Sequence, residues 1–376
     1  MKPTTNLIIR LLAMLVCLVV AVGSTTFLLK NAPTPEIPDE NAGGETDGGK
    51  DDVPAGSFGI DIVDTEKAKY TYDEMVDDLA LLDERYGEKM SYSAIGTSLD
   101  GRNIYAVTLG NPEAKNQIII SAGIHAREYM TPMLVMAELE HYLYYYDTGS
   151  FDGVKYSEIF EDYAFCILPM CNPDGITLSQ MGLDGIRSES LRETILSIYE
   201  LDRVKFELDG TLDEYLSEWK ANARGVDLNR NFDTDDFGTY PTMSRPCYLN
   251  HPGERPLSEP ETAAMVGYVR SLKNPVLSLA IHSQGEIIYF NCGQENFNEA
   301  KALADAVGDF TGYRIETDVR HDSAFDDWCN KVMRIPSVTV ETGNVPCPLP
   351  IEQFDKIWKI CHELWMFVAK EHSASQ

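Results

Sequence analysis

Four predominantly apolar runs, at residues 117–124, 163–169, 276–283 and 338–342, are separated by segments with helical spacing, and each stops at residues that carry chemistry or a sharp turn. Short apolar runs without polar alternation are strands buried on both faces, and such strands need helices above and below them. The expectation is therefore an α/β fold: a single domain whose mixed, mostly parallel sheet is covered by helices on both faces. The ends of these runs are unusual. The first leads into His125-Ala126-Arg127-Glu128, the third reaches His282, and the fourth ends at Glu341. An acid or imidazole at the end of a buried strand is costly unless something pairs with it, and a metal ion would pair with both kinds. An imidazole and a carboxylate on one tight loop can supply two of the three protein ligands of a catalytic zinc, with a further position left open for water. Alone, an HxxE pair reads as a loop histidine beside a solvated acid.

Helix signals fill the intervals. Thr71 with Glu74 forms a capping box ahead of Met75, Leu79 and Leu82. A strand at 104–109 turns at Gly110-Asn111-Pro112, and Thr131-Pro132 opens a helix with Thr131 as its N-cap. Asn172-Pro173-Asp174-Gly175 reads as a tight turn, followed by a long irregular stretch to about Lys220. Ser258 and Glu261 cap a helix to about Leu272; a strand at 287–291, a helix at 296–310 and a C-terminal helix from Ile351 to Val368 complete the body.

The ends and the charge set limits. Lys2 and Arg10 precede an apolar stretch at 11–23 that resumes at 27–29, so residues 1–30 are expected to be a signal peptide or an N-terminal membrane anchor, and either exports the body. Residues 31–58 are acidic and rich in Pro and Gly, a disordered linker; residues 59–376 form the catalytic domain. A net charge of -29 excludes nucleic acid as a partner, and membrane contact is expected only through the N-terminal segment. Of the eight cysteines, Cys17 lies in the export segment and the other seven show no CxxC spacing, so at least one thiol stays unpaired within the chain. No GxSxG elbow supports a serine hydrolase, and Ser283 beside His282 on a strand would face the other way. His141, His251, His362 and His372 have no partner at metal spacing and read as structural or exposed.

The loop from Arg224 to Phe232, RGVDLNRNF, packs two guanidiniums and two amides together and is too polar for core. With HxxE, NPDG, GVDxNRN, a strand-end histidine and a late ExG in that order, the chain from about Tyr70 onward resembles the M14 zinc metallocarboxypeptidases, the carboxypeptidase A-like enzymes. The resemblance implies one Zn²⁺ ion held by His125, Glu128 and His282, and hydrolysis of the C-terminal amide bond of a peptide by a zinc-activated water with Glu341 as general base. It implies that Asn229 and Arg230 clamp the substrate's terminal carboxylate, that Arg127 also binds substrate, and that Asp227 orients His125. The arginine that stabilises the oxyanion is expected at Arg224, with Lys220 and Arg127 as competitors. Asp326 falls at the position that sets side-chain preference, where an acid selects a basic or diamino acid residue.

Two departures accompany the match. Gln284 stands where the animal enzymes carry a tyrosine, and the place of their mobile tyrosine falls on Val319, with His321 or Tyr313 as replacements. The HSQGE run and Trp219-Lys220-Ala221-Asn222 look instead like bacterial γ-D-glutamyl-diamino acid peptidases, so a peptidoglycan peptidase is the alternative activity. From another class, the alternative is an inactive M14-like surface binding domain.

Overall fold

The structure is a computed structural model, and it describes residues 58–239, 242–290, 296–317 and 323–376. The expectations for residues 1–57, and those for Val319 and His321, lie outside the described residues.

The first helix among the described residues is α1 (Tyr72–Tyr86), capped reciprocally by Thr71 and Glu74. Strands β1 (Met90–Thr97), β2 (Asn103–Leu109) and β3 (Asn116–Ala122) follow, then α2 (Met130–Tyr144), the small hairpin β4 (Ser150–Phe151) and β5 (Val154–Lys155), α3 (Tyr156–Asp162) and β6 (Tyr163–Leu168). Next come α4 (Pro173–Met181), α5 (Glu189–Lys205), α6 (Leu212–Ser217) and α7 (Pro260–Ser271). The remainder is β7 (Pro275–His282), β8 (Ile287–Phe290), α8 (Phe297–Thr311), β9 (Arg314–Thr317), α9 (Phe325–Trp328), β10 (Ser337–Glu341), α10 (Phe354–Cys361) and α11 (Leu364–Ala374).

The main sheet has the order β1-β2-β6-β3-β7-β10-β8-β9. Its four central strands, β6, β3, β7 and β10, run parallel, while β1, β2 and β8 join antiparallel to their inner neighbours. Alternate residues of one strand serve two cores. Ile118 and Ile120 of β3 pack with α1, α2, α10 and α11 on one face, and Ile119 packs with Met265 and Val269 of α7 and with Phe325 and Trp328 of α9 on the other. This is the helix-covered mixed sheet expected from the uninterrupted apolar runs.

Several local expectations need correction. Thr131 is not an N-cap: α2 starts a residue earlier, and the Thr131 hydroxyl instead donates to Glu128 O (2.9 Å) and accepts from Gly123 N (3.1 Å), tying the HxxE loop to the end of β3. Ser258 likewise does not cap α7; its hydroxyl donates to Glu259 Oε1 (2.6 Å). Asn172-Pro173-Asp174-Gly175 begins helix α4, with Asn172 Oδ1 accepting from Gly175 N at 3.0 Å. Gly175 has no room for a side chain, since an added Cβ would lie 2.5 Å from Ala221 O. The stretch after it is largely helical. Leu191, Ile195 and Ile198 turn the inner face of α5 toward Trp219, and Thr211 with Glu214 caps α6. The C-terminal segment is two helices broken at His362-Glu363.

Candidate active site

Parallel strands β7 and β10 pair in register, Val340 beside Ile281 and Glu341 beside His282, so both side chains leave the sheet on the same face at the carboxyl end. The loop after the neighbouring strand β3 brings His125 and Glu128 to the same place. His125 Nδ1 lies 2.8 Å from Glu128 Oε1, and His282 Nδ1 lies 2.9 Å from Glu128 Oε2 and 3.1 Å from His125 Nδ1. All three residues are buried, and their ligand atoms fall within 4.8 Å of one another. Lone pairs of two imidazoles and one carboxylate converging in this way fit the donor set of a catalytic zinc.

Burial alone would neutralise Glu128, but the two imidazoles beside it hold its carboxyl well below the usual range. Burial lowers the pKa of His125. At His282 burial also works against protonation, yet the Glu128 carboxylate outweighs it and the value rises. Glu341 is pushed up to about 7, chiefly by burial and opposed by His282; its Oε2 has no hydrogen-bond partner among the described residues.

Asp227 stands behind His125 as the hub of the RGVDLNRNF loop. Its Oδ1 is 3.3 Å from His125 Nε2 and accepts from Asn229 N at 3.1 Å; its Oδ2 is 3.2 Å from Lys220 Nζ and accepts from Asn250 N at 3.2 Å. Burial would raise the carboxyl's pKa, but Lys220 and His125 carry it far below the ordinary value. The same residue caps the 3₁₀ turn Leu228–Arg230, which sets Asn229 and Arg230 side by side.

His125, Arg127, Glu128, Asn229, Arg230, Asp326 and Glu341 all line one polar cavity of about 500 Å³, together with Lys220, Gln284, Tyr289 and Thr339. Arg127 pairs with Glu218 at 3.0 Å on the rim. Asn229 Oδ1 accepts from Phe325 N (2.9 Å), which locks the loop to the turn carrying Asp326.

Arg224 is the site residue that the structure places elsewhere. Gly225, at φ +77°, reverses the chain direction, and the Arg224 guanidinium donates to Glu259 Oε1 (2.7 Å) and Ser258 O (3.3 Å), away from the cavity. It is the partner of a buried acid. Tyr313 is no substitute for a mobile tyrosine: its ring is buried in the core, with its hydroxyl 4.0 Å from Cys361 Sγ. Ser283 lines the cavity instead of facing the other way, because β7 ends at His282 and the chain turns there. His141, His251, His362 and His372 are structural, the Nδ1 of each facing a carbonyl or, for His372, the Tyr163 hydroxyl. The six described cysteines outside the N-terminal segment are buried free thiols.

Two residues that position the site were given no such role from sequence, Asn172 being read there only as part of the NPDG motif and turn. Asn172 Nδ2 donates to Ile124 O and Ala221 O, both at 3.1 Å, and so clamps the end of the β3 run to the Lys220–Ala221 segment. Asp202, fully buried in α5, accepts from Tyr215 Oη (2.7 Å), Arg245 (2.7 Å) and Tyr248 N (3.1 Å), fixing the loop against which Lys220 rests. The start signals at Asn172-Pro173 were present in the sequence; Asp202 gave none beyond its place on the inner face of α5.

Fold and site together define a metal-dependent hydrolase. The profile of the M14 peptidases, described as zinc carboxypeptidase, matches residues 75–360, and the chain belongs to that family. It is 29% identical to the gamma-D-glutamyl-L-diamino acid endopeptidase 1 of Lysinibacillus sphaericus over 77% of this chain and 69% of that protein. It is 26% identical to human mast cell carboxypeptidase A over 56% of this chain and 44% of that one. Among solved structures, thrombin activatable fibrinolysis inhibitor superposes with a TM-score of 0.65 at 20% identity, covering 82% of this chain and 75% of that one. The carboxypeptidase A of Helicoverpa armigera gives 0.60 at 19%, covering 83% and 75%. The chain is accordingly a metallopeptidase of a zinc-dependent family.

Proposed function

We propose that this protein is an exported zinc carboxypeptidase that removes a basic or diamino acid residue from the free C-terminus of a peptide. The observation that carries the reading is the shared cavity. Arg127, Asn229 and Arg230, able to hold a carboxylate, and Asp326, able to hold an ammonium, line the same 500 Å³ space as His125, Glu128 and Glu341. His125, Glu128 and His282 would hold one zinc ion, which as a Lewis acid polarises the scissile carbonyl and makes water nucleophilic near neutral pH. Glu341, beside His282, accepts the proton of the attacking water and returns it to the departing amine. Asp227 keeps His125 in one tautomer and orientation.

A second reading, cleavage of a γ-D-glutamyl-diamino acid bond in cell-wall peptides, is favoured by the Lysinibacillus relative and by Gln284 on the cavity wall. Both readings place a diamino or basic residue beside Asp326. Export is supported by the basic-flanked apolar stretch within residues 1–30. No helix among the described residues is long and apolar enough to cross a membrane.

The test compares kcat/KM on a Lys-terminated peptide, a Leu-terminated peptide and a γ-D-glutamyl-diamino acid peptide. Asp326→Asn is expected to cost roughly tenfold on the substrates with an ammonium end, the worth of one partly desolvated charge pair. The Leu-terminated peptide should be unaffected. Hydrolysis confined to apolar C-termini would refute the proposed preference. Cell fractionation with N-terminal sequencing of the mature protein tests export, and a cytoplasmic, full-length product would refute it.

A further inference from the structure

Helix α5 carries Tyr199 and, at its C-cap, Phe206, two turns apart on one stripe. Beside them stand Tyr215 of α6 and Tyr248 of the loop on which Lys220 rests. Ring centroids lie 5.0 Å apart for Tyr199 and Tyr215, 5.3 Å for Tyr215 and Tyr248, and 5.7 Å for Phe206 and Tyr248. Tyr215 is buried, but Tyr199, Phe206 and Tyr248 stay partly exposed, so the group forms a continuous aromatic shelf that the hydrolytic step does not use. The exposed Lys205 ammonium, 6.0 Å over the Phe206 ring, marks a ring face open to water.

We propose that this shelf binds the amino sugar carried at the N-terminal end of a cell-wall peptide whose γ-D-glutamyl bond lies in the catalytic cavity. The proposal rests on the cell-wall reading and extends it from the bond that is cut to the far end of the substrate. A sugar ring shows C–H groups on its faces and hydroxyl or amide groups around its edge. The faces leave water against aromatic rings. The edge needs hydrogen-bond partners, which Arg127 and Glu218 offer on the rim and the exposed Glu207 and Asp209 offer next to Phe206 in the chain. A neutral N-acylated sugar meets no repulsion from these acids.

The shelf adjoins the cavity. Tyr248 O accepts from Lys220 N (2.9 Å) and Ala221 N (3.0 Å), and Lys220 O accepts from Ala126 N (3.1 Å) inside the HxxE loop. Burial raises the pKa of the Tyr248 phenol, and the rim pair acts on it too, Glu218 in the same sense and Arg127 against it. With the terminal carboxylate of the substrate on Asn229 and Arg230 inside the cavity, the upstream residues leave over the Arg127–Glu218 rim. Two extended residues span roughly 7 Å, so a sugar that precedes them lies outside the cavity, on the side of the shelf. The rings are fixed before substrate arrives. Asp202 accepts from Tyr215 Oη (2.7 Å) and Tyr248 N (3.1 Å), and Tyr215 packs edge-on against the fully buried Trp219 at 5.7 Å. A shelf held in this way loses little freedom on binding.

The experiment measures kcat and KM of zinc-loaded wild type, Tyr199→Ala, Phe206→Ala and Phe206→Trp on a pair of substrates: an L-alanyl-γ-D-glutamyl-diamino acid peptide with N-acetylmuramic acid on its N-terminal alanine, and the same peptide without the sugar. The wild type should show the lower KM on the sugar-bearing substrate. Each alanine variant should raise that KM roughly tenfold, the worth of part of one ring face removed from water, with kcat unchanged. On the bare peptide the variants should match the wild type, and Phe206→Trp should keep the preference for the sugar. Calorimetry with N-acetylmuramyl-L-alanyl-D-glutamate reads the same contact without turnover, and its Kd should rise by the same factor in the alanine variants. Equal losses on both substrates would make the shelf a contact for the peptide chain, and no loss on either would make the rings packing alone; both results overturn the proposal. If the wild type cleaves no γ-D-glutamyl bond, the cell-wall reading falls, and the calorimetry still decides on the sugar, since absent binding, or binding that the alanine variants leave unchanged, overturns the proposal by itself.

Discussion

Replacing Asp227 by asparagine changes one charge and almost no volume, yet it touches four contacts at once. The carboxylate faces His125 Nε2 at 3.3 Å and Lys220 Nζ at 3.2 Å, and accepts from the backbone N–H groups of Asn229 and Asn250. An amide keeps one acceptor oxygen and turns the other into a donor. Whichever way it rotates, a donor meets an N–H group or the Lys220 ammonium. Two costs follow and can be measured apart. Losing the acid behind a ligating histidine typically weakens metal binding 10–100-fold, or about 1.4–2.7 kcal/mol, so the zinc dissociation constant of Asp227→Asn should rise by that factor in a competitive-chelator titration. Breaking a buried pair by removing one partner costs about 3–5 kcal/mol; because the Lys220 side chain keeps 14% exposure, the lower end is expected for the zinc-free protein in urea unfolding. If zinc affinity stays within twofold and the unfolding midpoint does not move, Asp227 neither orients His125 nor neutralises Lys220, and the account of the loop is wrong.

Other outcomes follow from the same structure. Arg224→Ala should leave kcat/KM within threefold, since its guanidinium lies outside the cavity; stability should fall by about 1 kcal/mol, because the buried Glu259 loses a partner that is itself partly exposed. Enzyme kinetics and a denaturant series check both, and a hundredfold loss of turnover with zinc retained would return Arg224 to the site. Glu261 is fully buried in α7, and burial, reinforced by Asp174 and Glu259, raises its pKa to about 8. A carboxyl raised in the folded state binds its proton more tightly there than in the unfolded chain. Its contribution is therefore complete below the unfolded pKa, about 4.3, and is lost as pH rises through about 8. Urea unfolding across that range should show stability declining by a few kcal/mol. Glu261→Gln should flatten the decline, and an unchanged slope would mean that Glu261 is ionised in the fold.

The sheet and the candidate metal-holding cluster were readable because they share a cause. A strand buried on both faces must be apolar, so β3, β6, β7 and β10 stand out, and the ionisable residues where they end stand out against them. Strand β1 was harder to see. It lies at the sheet edge, half exposed, with Ser91 and Ser93 among its residues, and lacks the apolar run of the interior strands. The helices between Pro173 and Ser217 were hidden by NPDG, whose Pro and Gly suggest a turn although Asn172 and Pro173 sit in N-cap and first-turn positions. Arg224 shows the limit of proximity in sequence: three residues before Asp227, it is turned outward by Gly225. Lys220 shows the converse. Sequence offered it only as a competitor; its backbone is held by Tyr248 and Ala126, both distant in the chain, and its ammonium pairs with Asp227.

The central claim is that His125, Glu128 and His282 hold a zinc ion with which Glu341 works as proton carrier. Its most direct measurement is single-substrate turnover by wild type and Glu341→Gln at equal, independently determined zinc content, with the released amino acid identified by mass spectrometry. The account predicts one zinc per chain in both proteins, release of the C-terminal residue by the wild type, and a loss of roughly 10²–10⁴-fold in kcat for the variant. A zinc-loaded Glu341→Gln that turns over within a few fold of wild type, or a wild type that takes up no zinc, would contradict it.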